Sequence, residues 1–157
     1  MIENTKDILS QPTLKLFAQK LLWSLANEIN AVQGAFYITS KNTEGISIIK
    51  FTEGYAFHIA ETQTLEFEFG DGIAGQVAKD GNKICIENIP EGYLTVMSGL
   101  GSSSPKHLLA YPFKNTNNEV VAVLEIASFE KIDAEQLTVL DTLNDSISNK
   151  INELLLL

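Results

Sequence analysis

Residues 119–128 (EVVAVLEIAS) constrain the fold of this 157-residue chain more than any other segment. A strand with one face in water alternates apolar and polar residues, whereas this segment is apolar at nearly every position. A strand of that kind lies centrally in a sheet and is covered on both faces. The chain must therefore supply a layer on each side of one sheet, and its length is that of a single domain with a substantial core.

The ends of the chain have the patterns of helices. A first helix is predicted over residues 13–30, where apolar residues recur on one face at helical spacing. A last helix is predicted to begin at Asp133, because Gln136 follows three residues later and completes a capping box. Its apolar stripe continues to Leu154, and three further leucines follow it.

Shorter segments between the helices predict strands at 34–39, 45–52, 65–69 and 83–87, and a hairpin formed by 107–114 and 119–128 around the turn 115–118. A short helix is predicted after Gly70, closed by Gly81. Residues 88–106 are predicted to be a long irregular loop packed as a lid. The order predicts an α+β fold: an antiparallel sheet of about six strands, with terminal helices on one face and a cavity built by the long loop and short helices on the other.

Charge and composition exclude several classes of partner. The net charge is −9 and the sequence pI is about 4.6. Such a surface repels phosphate backbones and anionic lipid, so no nucleic acid and no membrane contact is expected. The single cysteine and the absence of a membrane-spanning or signal-like segment predict a cytoplasmic protein.

Residues 70–78 (GDGIAGQVA) resemble the G-x-G-I-x-G-x-V-A segment of GAF domains. Segments similar to the family's later strands follow in the same order at 84–86, 108–113 and 120–128, and the resemblance covers residues 21–151. Within the family, residues 89–93 and 98–101 resemble GAF domains of bacterial multidomain sensor histidine kinases. The resemblance implies a sensory domain that binds a small molecule such as a cyclic nucleotide, a tetrapyrrole or haem, and that relays a signal in a two-component system.

The resemblance also implies an organisation for the whole chain. Residues 1–157 are expected to form a single GAF-like domain, with an N-terminal extension over 1–12 and a C-terminal helix over 133–157 that leads to an output domain. A homodimer through the terminal helices is expected, because Leu22, Trp23 and the last four leucines offer more apolar surface than one sheet face requires. No cofactor is assigned: the family's cyclic-nucleotide pattern is broken at Ala134, where it requires glutamate.

A ligand cavity is expected between the sheet and residues 89–105. From the sheet, some of Phe36, Phe51, Tyr111 and Glu125 are expected to face it, although the pattern does not decide which face of each strand points inward. From the loop side, Tyr93, Ser98 and His107 are the expected polar contacts. Glu125 is notable because a carboxyl in an apolar strand needs a partner or a raised pKa.

Two other functions remain open. One is a GAF-like thiol enzyme of the free methionine sulfoxide reductase type, which is disfavoured because a mixed disulfide needs a second thiol and Cys85 is the only cysteine. Cys85 stands between Ile84 and Ile86 and is predicted to be buried and inert, so no catalytic residue is assigned. The other is a structural dimerisation module without a ligand. His58 is expected to be an ordinary strand residue, and no metal ligand is assigned.

Overall fold

The computed structural model describes residues 5–57, 64–89, 96–98 and 101–156. For residues 96–98 and 101–103 it describes the backbone alone. The elements in chain order are α1 (Thr5–Leu9), α2 (Leu14–Ile29), β1 (Gln33–Lys41), β2 (Ser47–Tyr55), β3 (Glu66–Glu68), α3 (Gly72–Asp80), β4 (Ile84–Ile86), β5 (Val96–Ser98), β6 (Gly101–Ser103), β7 (His107–Lys114), β8 (Val120–Ser128) and α4 (Ala134–Leu155). No described helix is long and apolar enough to cross a bilayer.

Six of the strands form one antiparallel sheet in the order β3-β2-β1-β8-β7-β4. The doubly apolar strand β8 lies between β1 and β7, as its pattern predicts. The predicted α+β class and the sheet of about six strands are therefore confirmed.

One face of the sheet packs against α1, α2 and α4 in a helix-side core. Its most deeply buried members are Phe17, Leu21, Leu22 and Leu25 of α2, Phe36 of β1, Leu109 and Phe113 of β7, Leu124 and Ile126 of β8, and Leu140, Ile147 and Ile151 of α4. Two polar contacts hold α4 on β7: the Tyr111 hydroxyl donates to Asp141 at 2.6 Å, and the Asn144 amide bonds both backbone groups of Lys114, at 2.8 and 3.0 Å. The predicted capping box of Asp133 and Gln136 is confirmed at the start of α4.

The opposite face packs against α3 in a smaller pocket-side core. Its buried members are Ala35, Tyr37, Ile49, Ala74, Val77, Ala78, Ala110 and Val123. Three glycines place α3 there. Gly70 and Gly72 have φ of 95° and 67°, the left-handed region that favours glycine. A Cβ on Gly75 would lie 2.6 Å from the backbone oxygen of Glu68, so only glycine lets the end of β3 pass this closely over the helix.

Two segments differ from the sequence-based predictions. Residues 5–9 of the predicted extension form a helix whose Ile8 is buried in the helix-side core. The predicted irregular loop 88–106 contains the two-stranded hairpin of β5 and β6.

The prediction that Cys85 is buried is wrong, because its side chain is exposed. Cys85 pairs with Leu109, but β4 has only three residues and forms the edge of the sheet. The flanking isoleucines indicated burial. At the sheet edge, however, the helices that bury Leu109 do not cover the Cys85 thiol.

We expect Gly75→Ala to lower the free energy of unfolding by about 1–3 kcal/mol, because the added methyl overlaps a backbone oxygen that cannot move independently of β3. An alanine in a helix otherwise stabilises by roughly 0.5–1 kcal/mol relative to glycine, so the sign of the change is diagnostic. Urea unfolding followed by circular dichroism measures it. Lys79→Ala, an exposed change on the same helix, is the control and should stay within about 0.5 kcal/mol of the parent.

We expect the Cys85 thiol to react with Ellman's reagent in the folded protein at nearly the rate measured in urea, because its side chain is open to solvent. A native rate many times slower than the unfolded rate would contradict the exposed position. The Cys85→Ser variant supplies the blank for both measurements.

Candidate functional site

Glu125 occupies the middle of a row of small residues on the pocket-side face. On β1 its direct neighbour is Ala35, and on β7 it is Ala110. Gly54 of β2 follows beyond Ala35 in the same row. Directly opposed side chains in an antiparallel sheet lie about 5 Å apart, so the small side chain of Ala35 leaves free space above the sheet beside the Glu125 carboxyl.

A pocket of about 200 Å³ lies beside Ala35 and Glu125, and it extends along the sheet to Ala127 and not to Ala110 or Gly54. The described residues that line it are Gln33, Gly34, Ala35, Tyr37, Phe57, Leu65, Phe67, Leu108, Glu125 and Ala127. Most of these side chains are apolar, and three are aromatic. A small concave site with an apolar lining and few polar groups is the usual form of a ligand site in proteins.

The backbone at the end of β2 brings one aromatic wall into place. Ala56 has a φ of 51°, and the chain turns so that a Cβ on Gly54 would overlap the backbone oxygen of Phe57. Glycine at position 54 therefore lets Phe57 fold back over the sheet. The Phe57 ring packs edge-on against Phe51, with ring centroids 5.5 Å apart.

The polar groups of the pocket centre on Glu125. The Tyr37 side chain lines the pocket together with Glu125. Burial raises the pKa of Glu125, and the favourable interaction of its carboxylate with the Tyr37 hydroxyl offsets only part of the increase. The pKa of Tyr37 is also raised, first by burial and then by the charge of Glu125. The site therefore holds a carboxyl that lacks much of its hydration and has a tyrosine beside it.

The structure places the predicted site residues on both faces of the sheet. Glu125 lines the pocket, and Phe51 packs behind its aromatic wall. Phe36 and Tyr111 lie in the helix-side core, so the expectation that they face the cavity is wrong. Phe36 and Tyr111 both pair with Leu124, and paired residues in an antiparallel sheet point to the same face. All three side chains therefore point toward the helices.

His107 is also directed away from the pocket, because it shares the alternation of Leu109 and Tyr111 on β7. It lies near the ion pair in which Lys131 Nζ approaches Glu87 Oε1 at 2.8 Å and lowers the pKa of that carboxyl. The expectation that His107 contacts a ligand in this cavity is therefore wrong. Tyr93 and His58 fall outside the described residues, and only the backbone of Ser98 is described.

Sequence reasoning missed Tyr37, Phe57 and Phe67 as pocket residues. Phe67 alternates with two glutamates, which identified it as an inward residue of its strand but did not show which face of the sheet it would cover. Tyr37 is two residues after Ala35 and therefore shares its face. This assignment was not possible before the pairing of Ala35 with Glu125 was known.

A second depression, of about 570 Å³, lies at the other end of the same strands. It is open and largely polar, and its lining includes Lys41, Lys79, Asp80, Lys114 and Glu119. Lys114 Nζ already donates to the backbone oxygen of Gly81 at 2.8 Å, where it holds the C-terminal end of α3. Among the described residues no cluster of three or more histidine, cysteine or acidic side chains could hold a metal ion.

Solved structures that share this architecture include GAF domains and an enzyme. A GAF domain of A. aeolicus in an inactive state is 20% identical, with a TM-score of 0.68 over 93% of this chain and 90% of that chain. The GAF domain of an Acinetobacter phosphoenolpyruvate-protein phosphotransferase is 14% identical, with a TM-score of 0.75 over 94% and 87%. A type II free methionine-R-sulfoxide reductase from Thermoplasma acidophilum is 15% identical, with a TM-score of 0.64 over 87% and 91%.

At these identities the structural likeness establishes the fold alone. No curated protein matches the sequence. A model of the GAF domain family matches residues 12–152, which include every strand of the sheet and most of both long helices. The chain therefore belongs to the GAF domain family.

Proposed function

We propose that this protein is a sensory GAF domain that binds a small molecule in the pocket above Glu125. The observation that carries the proposal is the pocket itself: about 200 Å³ and mostly apolar, with the carboxyl of Glu125 and the hydroxyl of Tyr37 among its described lining residues. Apolar walls supply affinity through burial, and a few fixed polar groups supply specificity. The proposal includes the cytoplasmic location expected from the sequence.

The pocket above Glu125 is a better candidate than the larger open depression. Burying an ionisable group costs free energy unless something compensates for the lost hydration. Glu125 bears that cost at the centre of the sheet, whereas Lys41 and Glu119 of the open depression remain exposed. A ligand in the pocket would replace the lost hydration of the Glu125 carboxyl with direct contacts. Ligand binding would therefore explain why an ionisable group is buried there.

The position of the pocket also suits a signalling role. Glu125 lies between Leu124 and Ile126, and both of these side chains point into the helix-side core against α2 and α4. A ligand that shifts β8 therefore changes the packing of the helices through adjacent residues of one strand. We infer that the host is a bacterial signal-transduction protein, such as a sensor histidine kinase, in which α4 relays the change.

Filling the pocket should abolish ligand binding without changing the outer surface. Ala35→Leu adds three carbons beside Glu125, and we expect it to remove the thermal stabilisation produced by any hit from a small-molecule screen. A ligand at 100 times its Kd adds about 2.7 kcal/mol, which a melting experiment detects readily. Ala134→Leu makes the same change at an exposed position and should leave the stabilisation intact. A screen without hits would favour a structural module that has no ligand.

We further propose a homodimer through the terminal helices. Two of the predicted surplus residues, Leu22 and Leu154, are buried within the chain and so do not contribute. Others are exposed: Trp23 by 54%, Leu155 by 52% and Leu156 by 89%, together with Leu16 by 41%. Large apolar side chains on the outer faces of α2 and α4 are typical of helices that pack against a partner.

The double variant Leu155→Glu/Leu156→Glu should shift the protein toward monomer by at least about tenfold in dimer dissociation constant, because it places two charges in the proposed interface. Sedimentation equilibrium measures the constant. Ile46→Glu is the control, since Ile46 is 38% exposed but lies in the β1–β2 turn. A parent protein that is monomeric at high micromolar concentration would contradict the proposal.

The exposed thiol supports a second candidate, a thiol enzyme centred on Cys85. Cys85 and His107 line the same small crevice of about 20 Å³, on the opposite face from the Glu125 pocket. The Thermoplasma reductase has the same fold. A sulfur-exchange cycle leaves a mixed disulfide that a second thiol must resolve, and the chain has a single cysteine. We therefore favour the non-enzymatic sensory role.

A further inference from the structure

We infer that the ligand of the Glu125 pocket is a small organic cation, an ammonium group joined to a compact apolar body. This inference rests on the function proposed above and specifies the class of ligand. It follows from three features of the pocket: a carboxyl with no cation among the described lining residues, aromatic walls and a small volume.

The first feature is the missing counter-charge. In the described part of the chain the ion pairs join Lys20 to Asp7, Lys131 to Glu87 and Lys150 to Glu153, all of them away from the pocket. The described lining contains no lysine, arginine or histidine. Burial raises the pKa of Glu125, so the site disfavours the carboxylate when it is empty. An incoming cation reverses that preference and forms a desolvated ion pair.

The second feature is the aromatic lining. Tyr37, Phe57 and Phe67 contribute three rings to a pocket that has one carboxyl. Tyr37 and Phe67 pack with ring centroids 6.0 Å apart and an interplanar angle of 72°. Aromatic rings attract cations through their quadrupole, by up to about 2 kcal/mol when the cation is desolvated. The same rings bury the apolar part of the ligand.

The third feature is size. A cavity of about 150 Å³ holds benzene, and the present pocket of about 200 Å³ leaves room for one further small substituent. An anionic ligand of this size would place a second acidic group beside Glu125, with no cation among the described lining residues to stabilise its charge. The net charge of −9 also raises the local concentration of cations over anions. A compact ammonium compound therefore fits the chemistry of the walls, the floor and the surface.

The test uses three probes of one shape: benzylamine, which is protonated at neutral pH, benzyl alcohol and benzoate. The protein of 17.3 kDa is suited to ¹H–¹⁵N NMR titration. We expect benzylamine to bind at least about tenfold more tightly than benzyl alcohol, with shifts at Ala35 and Glu125, and benzoate to cause none of these shifts. Equal affinity for the amine and the alcohol would overturn the cation inference while leaving the pocket's ligand-binding role in place.

Variants assign the selectivity to the carboxyl. Glu125→Gln keeps the shape and removes the charge, so benzylamine should fall to the affinity of benzyl alcohol. Glu44→Gln removes an equal charge from the exposed β1–β2 turn and should change neither affinity. Equal loss in both variants would overturn the role of Glu125 in favour of general attraction to an acidic surface. Glu125→Asp, which keeps the charge, should retain the preference for the amine and provides a comparison if Glu125→Gln does not fold.

If none of the probes binds, the cation inference is overturned in this form. The wider screen could still yield a ligand of another class whose binding is abolished by Ala35→Leu. That result would support the proposed function with a different ligand. Failure of both experiments would remove the ligand-binding role itself.

Discussion

The burial of β8 on both faces is the constraint on which the remaining structure depends. A strand that is apolar throughout is stable in water only if a layer covers each side. Leu124 and Ile126 require the helices α2 and α4, whereas Val123 requires α3 and the strands beside it. These two cores lie on opposite faces of one sheet, and β1, β7 and β8 contribute side chains to both. Glu125 is the charged exception in β8, and its small neighbour Ala35 lines the pocket together with it.

Close backbone approaches then shape the pocket-side face. Gly75 allows the end of β3 to cross α3, and Gly54 allows Phe57 to fold back over the sheet. Both positions exclude a Cβ because a backbone oxygen occupies its place, and a backbone oxygen moves less readily than the end of a side chain. The glycine-rich segment 70–78, which carries the family resemblance, is therefore explained by packing geometry. It seats α3 on the sheet and requires no ligand.

The two cores give the proposed function a physical route. A ligand above Glu125 acts on one face of β8, and the residues on either side of Glu125 in the chain act on the other. The helix face is held firmly, since Asp141 and Asn144 of α4 both bond to β7. Because β7 also pairs with β8, a movement of β8 would therefore move α4 and would not be lost by repacking of the core. In the proposed homodimer, the exposed Leu155 and Leu156 at the end of the same helix would contact the partner subunit.

Local patterns in the sequence determined the element types. The double apolar character of residues 119–128, the capping box of Asp133 and Gln136, and the glycine that closes α3 each depend on neighbours within a few positions. They predicted the central strand, the start of the last helix and the end of the short one. The sequence also identified Glu125 as a carboxyl that needs a partner.

Only the tertiary structure decided which side chains share a site. Ala35 and Phe36 are adjacent in the chain, yet one lies beside Glu125 and the other beneath the helices. A shift of one residue in the pairing of β1 with β8 would exchange them. Cys85 likewise has the neighbours of a buried residue and is exposed because β4 is at the sheet edge. Register and strand order arise from contacts between segments far apart in the chain, so no local pattern contains them.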